Sequence, residues 1–191
     1  MKYLCFHFRS RKGQSLVEAL VALSILMIAL LGIEALLTRS FLLDRVTTDQ
    51  TKATYLASEG IEIAKSLIDH DVYEDIATGG NAGGWGACFP VGVGSPGDNY
   101  QFDYTQVNCP PLNNYDGTPL EFDSTTGLYG YGSKGLYGAS LTPTSFVREI
   151  HITEPSANEI DVQSIVTWST GSVTNQSLTL EDHFYNWNPG D

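Results

Sequence analysis

The sequence predicts an α+β protein, a long N-terminal helix packed on an antiparallel-sheet head. Three observations predict it. Residues 19–37 are apolar apart from Ser24 and Glu34. The stretch that follows, to about Ile68, repeats apolar residues at three- and four-residue steps, and no proline occurs before Pro90. The last third of the chain alternates apolar and polar residues with a period of two, the pattern of strands with one buried face.

The chain begins with a basic leader. Lys2, Arg9, Arg11 and Lys12 fall within residues 1–13, while all 22 acidic residues follow, for a net charge of −12 over the 191 residues. A body this acidic repels nucleic-acid phosphate, so no nucleic-acid partner is expected. Beyond residue 70 only Lys134 and Arg148 could build a local basic patch. At ~1.5 Å per residue, segment 19–37 spans about 29 Å, close to the hydrocarbon thickness of a bilayer. Four basic residues before it, against Arg39 and Arg45 after it, place the N-terminus on the cytoplasmic side. A cleaved secretory signal would have a shorter core and a small-residue site after it, and IEALLTRSFLLDR offers none. A plain signal anchor remains open on these grounds. Glu18 and Glu34, acids at either end of the apolar run, are costly in lipid and call for a function.

After the membrane segment, Val46, Ala53, Ala57, Gly60, Ile61, Ala64 and Ile68 form one stripe, widened by Leu56, Ile63 and Leu67. Asp49, Lys52, Glu59, Glu62 and Lys65 occupy other faces. One helix is therefore expected from about Gln14 to residue 68–70, its second half covering the head and its first half free. Asp69, Asp71, Glu74 and Asp75 read as solvated charge just beyond it, or as a calcium site, although no EF-hand spacing surrounds them. Residues 77–142 are rich in Gly, Pro, Asn and aromatics and read as loops and short strands. Trp85, Tyr129, Tyr131 and Tyr137 either pack these loops down or stack on a sugar. The strands follow: Phe146, Ile150 and Ile152 share a parity with Arg148 between them; Ile160, Val162, Val166 and Trp168 share a face; Leu178 and Leu180 lead to Phe184. They read as an antiparallel meander whose apolar side the helix covers.

Enzyme chemistry is not indicated. His7, His70, His151 and His183 lack metal-ligand spacing, and neither a GxSxG, a P-loop nor an SxxK motif occurs. No catalytic residue, cofactor or metal is expected. Of the three cysteines, Cys5 lies in the leader, which leaves Cys88 and Cys109 as an even pair suited to an oxidising compartment.

The leader ending in Gly13, then Gln14-Ser15-Leu16-Val17-Glu18, then an apolar helix with a long amphipathic continuation, resembles the N-terminus of type IV prepilins and pseudopilins. The resemblance implies a prepilin peptidase that cuts between Gly13 and Gln14 and methylates the new amine of Gln14. It makes Glu18 the fifth residue of the mature chain, where the family has a glutamate that meets the N-terminal amine of a neighbouring subunit. Gln14 departs from the Phe or Met that many members carry. The head is more loosely similar, to minor pilins and minor pseudopilins. The implied layout is a leader at 1–13, a membrane and pilin helix at 14–70, and a head at 71–191. The implied partners are the peptidase, other pilin or pseudopilin subunits, the inner-membrane assembly platform and, before assembly, membrane lipid. The implied location is the cytoplasmic membrane, then a surface pilus or a periplasmic pseudopilus. An exported head makes a Cys88–Cys109 disulfide the expected state of the pair. Two other readings stay open: a filament-tip adhesin using the Gly/Tyr-rich loops, and a simple signal-anchored envelope protein.

Overall fold

A computed structural model describes residues 14–80, 84–106, 109, 112–132, 141–171 and 173–187. The element order is α1 (Gln14–Thr78), then β1 (Asp98–Gln101), β2 (Asn113–Asn114), β3 (Glu121–Asp123), β4 (Tyr129–Gly130), β5 (Leu141–Pro143), β6 (Val147–Ser156), β7 (Glu159–Thr170) and β8 (Val173–Tyr185). This is the α+β architecture expected, and it fits a type IV pilin-like fold. The chain divides into two compact units, residues 1–46 and residues 47–191.

In the first unit, the apolar side chains from Leu16 to Leu43 are exposed all round the helix. Nothing in the sequence there breaks a helix, and its hydroxyls bond inward: Ser24 Oγ donates to Leu20 O at 2.8 Å and Thr38 Oγ1 to Glu34 O at 3.0 Å. These two hydroxyls are thereby satisfied without water, by carbonyls of their own helix.

The second unit is the head together with the helix from Thr47 on. Its main sheet runs β2-β1-β6-β7-β8, antiparallel throughout, and β6, β7 and β8 form the expected meander. A smaller sheet, β4-β3-β5, arises from the Gly/Tyr-rich region. The helical stripe meets the main sheet in two apolar clusters. Ala53, Leu56 and Ala57 pack with Leu120, Phe146, Val166 and Trp168. Ile61, Ala64, Leu67 and Ile68 pack with Phe89, Tyr100, Phe102, Ile150, Ile152, Ile160 and Val162.

Between the clusters lies a polar waist. Ser164 and Arg148 point inward from β7 and β6, both fully buried, and Gly60 of the helix lies over them. A Cβ at Gly60 would stand 2.5 Å from Ser164 Oγ, 2.6 Å from Ile150 Cδ1 and 3.2 Å from Arg148 Cδ. Glycine is thus required by the closeness of helix to sheet. Arg148 fills the remaining space and ties three elements: Nη1 donates to Leu56 O at 3.0 Å, Nη2 donates to Phe102 O at 2.8 Å, and Nη1 stands 3.4 Å from Glu59 Oε2. Burial pushes the Glu59 carboxyl above its usual range, although Arg148 pulls the other way. The ion pair therefore fixes geometry more than it adds stability. Lower on the helix, Thr170 Oγ1 donates to Asp49 Oδ2 at 2.8 Å, pinning the end of β7 to α1.

The helix ends later than the expected residue 70. Gly79 and Gly80, both at positive φ, terminate it, with Gly80 N–H donating to Asp75 O at 2.8 Å and Gly79 N–H to Ile76 O at 3.3 Å. These two bonds make a Schellman cap. No residue from Asp69 to Thr78 breaks a helix, and the acids there share it with Val72, which is half-buried.

Two substitutions test the waist. Gly60→Val forces a branched side chain against Ser164 and Ile150, and overpacking of this kind costs about 1–3 kcal/mol. Arg148→Ala removes a fully buried side chain and leaves two carbonyls and half-buried Glu59 without their donor, a loss of about 2–5 kcal/mol from the cavity and the unmet hydrogen bonds. Both are expected to lower the denaturation midpoint of the head, with Arg148→Ala the larger loss; urea unfolding followed by the buried Trp168 measures it.

Candidate functional site

The segment that sequence reasoning marks for function is the start of α1. Gly13 lies outside the described residues; Gln14 begins the helix. Glu18 lies one turn in, exposed, with exposed Leu16, Val17, Leu20 and Val21 around it. A carboxylate within an apolar surface gains little from neighbours on its own helix. Where such a surface leaves water, the charge needs a cation from outside. Glu34 is likewise exposed, with Arg39 one turn further along and Arg45 beyond. Basic residues at that position suit the headgroup zone at the end of a membrane span. From Ser15 on, α1 is long and apolar enough to cross a membrane, by length and composition.

The second expected feature is a disulfide. Cys88 and Cys109 are bonded, with Cα atoms 4.9 Å apart and a sequence separation of 21. Cys88 follows a turn in which Ala87 N–H donates to Gly84 O and Phe89 N–H to Gly86 O. Asp71 holds this turn to the helix: its Oδ2 accepts the Cys88 N–H at 2.6 Å and its Oδ1 lies 2.6 Å from Cys109 Sγ. Burial raises the Asp71 carboxyl above its ordinary value, with the Cys88 amide opposing. The reading of Asp69, Asp71, Glu74 and Asp75 as one solvated cluster is therefore corrected at Asp71, which is buried and spent on the disulfide turn.

The loop aromatics also divide. Tyr129 and Tyr131 pack on the cluster around Trp168. The Tyr131 hydroxyl donates to Arg148 O at 3.1 Å, and burial pushes it up to about 12. Tyr131 is thus committed to the head's interior, while Tyr129 is half-buried against Phe122 and Phe146; Tyr137 lies outside the described residues. Trp85 is different, lining an open pocket with Trp187. Sequence reasoning passed over Trp187, which had no glycine-rich loop to draw attention to it.

Among the described residues, two groups of side chains come close enough to share a cation. In His70, Asp71 and Cys109 the sulfur is committed to the disulfide, which removes the thiolate a metal would need. Asp161, Glu181 and His183 stand together on the exposed face of β7 and β8, where His183 Nδ1 lies 3.2 Å from Glu159 Oε1. That arrangement also works as an exposed ion-pair group without any metal.

An α+β head on a long apolar helix defines the class. Residues 8–33 match the family model described as the prokaryotic N-terminal methylation motif, the hallmark of type IV prepilins and pseudopilins. The motif supports a pilin- or pseudopilin-type exported subunit, and the family it marks is structural and generally non-enzymatic. It implies processing by prepilin peptidase and assembly with other pilin subunits, and with the apolar helix it fits a membrane-anchored pilin before assembly. No curated protein and no solved structure matches the chain.

Reducing Cys88–Cys109 is expected to destabilise the head. For a loop of this size the chain-entropy model gives roughly 3 kcal/mol. Thermal melting with and without a reductant measures the loss, and thiol labelling under denaturant is expected to find both cysteines unreactive before reduction.

Proposed function

We propose that this protein is a minor structural subunit of a type IV pilus or of a related secretion pseudopilus. In this reading residues 1–13 are a leader removed on the cytoplasmic side. Prepilin peptidase cuts between Gly13 and Gln14 and methylates the new amine of Gln14. The helix then holds the subunit in the cytoplasmic membrane, with its N-terminus inward and its head exported. The exposed apolar surface from Leu16 to Leu43 is the single observation that carries the reading, because it lies in the same helix that begins with the methylation motif. A surface of that size requires lipid or other copies of such helices around it.

Assembly exchanges lipid for neighbouring helices. A head-to-tail contact that does not close on itself generates a helical filament, drawing on the inner-membrane platform for the exchange. Within that filament Glu18 pairs with the N-terminal amine of residue 14 of an adjacent subunit. An unpaired charge buried there costs about 3–5 kcal/mol, far more than the ~0.3–1 kcal/mol an acid gains near a helix N-terminus. The protein is in this reading the substrate of an enzyme and does no chemistry itself.

Glu18→Gln tests the mechanism, since it keeps size and hydrogen bonding while deleting the charge. Cleavage at Gly13 and folding of the head are expected to be unchanged. Recovery of the processed subunit in sheared filaments, or crosslinked to partner subunits, is expected to fall about a hundredfold for a loss of ~3 kcal/mol. Recovery at the wild-type level would reduce Glu18 to a helix-start residue.

A further inference from the structure

The end of the head carries a pocket that subunit assembly does not call for. It encloses about 310 Å³ and is lined by Trp85 from the turn before Cys88, Tyr185 at the end of β8 with Asn186 and Trp187 just beyond it, and Lys65 and Asp69 of α1. The volume lies at the lower end of small-molecule sites, enough for one or two rings. Trp187 is 87% exposed, an unusual position for the largest apolar side chain, which is highly buried on average. Tyr185 is exposed beside it, its hydroxyl held by Glu159 Oε1 at 3.1 Å.

Apart from the Tyr185 hydroxyl, the polar side chains at this pocket are unspent. Among the described residues, neither Lys65, Asp69 nor the Asn186 amide makes an ion pair or side-chain hydrogen bond, while the Asn186 backbone is anchored to Asn158 O at 2.9 Å. Lys65 and Asp69 share one face of α1, four residues apart, and both line the pocket. Their opposite charges decide between ligand classes. An anion is repelled by Asp69 and a cation by Lys65, whereas a neutral molecule rich in hydroxyls can donate to the carboxylate and accept from the ammonium. Flat indole faces beside such groups suit a ring with an apolar C–H face and a polar rim.

We propose that this pocket binds a neutral hexopyranose unit of a glycan. Trp187 and Trp85 take the C–H face of the sugar, Asp69 accepts from its hydroxyls, and Lys65 and Asn186 donate to its oxygens. The site goes beyond the structural role proposed above and does not depend on it, since none of its residues lies in the N-terminal motif.

The test uses the full-length protein in a zwitterionic detergent without a sugar headgroup. Neutral methyl hexopyranosides, the disaccharides built from them, and methyl glucuronide are the probes. Binding is read by saturation-transfer NMR and by tryptophan emission, to which Trp85 and Trp187 contribute two of the three indoles. At least one neutral probe is expected to bind saturably. Trp187→Ala is expected to weaken it about tenfold or more, and Asp69→Asn several-fold, with thermal melting unchanged in Trp187→Ala because that side chain is exposed. Failure of every neutral probe to bind, equal binding by both variants, or preference for the glucuronide would overturn the proposal. Loss of subunit crosslinking in Trp187→Ala with no sugar bound by wild type would overturn it too, and would make this face an assembly contact.

Discussion

With no side chain at Gly60, the backbone of α1 comes close enough to the sheet for Ser164, Ile150 and Arg148 to fill the gap beneath it. The rest of the head depends on that closeness. It brings the apolar residues on either side of Gly60 down onto the sheet, giving one cluster around Trp168 and another around Phe89 and Ile152. It also leaves a waist too narrow for an apolar side chain from the helix. Arg148 occupies this waist from the sheet side, using a planar fork that lysine could not reproduce to reach two backbone carbonyls and Glu59. A buried ion pair of this type is a weak source of stability and a strong constraint on register, because any slip of helix along sheet strands the charge.

One helix therefore works against two kinds of surroundings. From Leu16 to Leu43 apolar side chains are exposed all round it, with Glu18, Glu34 and Arg39 among them, a surface suited to lipid or similar helices. From Ala53 to Ile68 it is apolar on one side, which the head's own sheet satisfies. The transition is a change of residue pattern within one helix, Gln14–Thr78. The disulfide adds a second hold at the far end of that element, through Asp71 and the Cys88 turn.

Much of this was legible in the sequence, and the reasons differ by element. The helix and the three long strands announce themselves by periods of three to four and of two, because each turns one face toward the core, fully buried in β6 and β7 and half-buried in β8. The paired cysteines were readable from their number once Cys5 was set aside with the leader. The end of α1 was misplaced because acids after Ile68 look like a solvated stop, whereas Asp71 turns inward and the true stop is the Gly79-Gly80 cap. Arg148 was noticed as an interruption of parity, but its role depends on a glycine 88 positions away in sequence, which no local pattern reveals. The small β4-β3-β5 sheet was hidden for a related reason: strands of two or three residues carry no period. The same limit separates Tyr131, which is locked onto Arg148, from Trp85 and Trp187, which meet only in the folded head.

The central claim is that a short N-terminal motif sets the fate of the whole chain. Mass spectrometry of the N-terminal peptide, taken from protein recovered from membranes of cells that have a prepilin peptidase, tests it most directly. A peptide beginning at Gln14 and carrying one methyl group on its amine is the expected result. An intact N-terminus at Met1, or a cut beyond Leu37, would contradict the account and leave the protein a signal-anchored or secreted envelope protein.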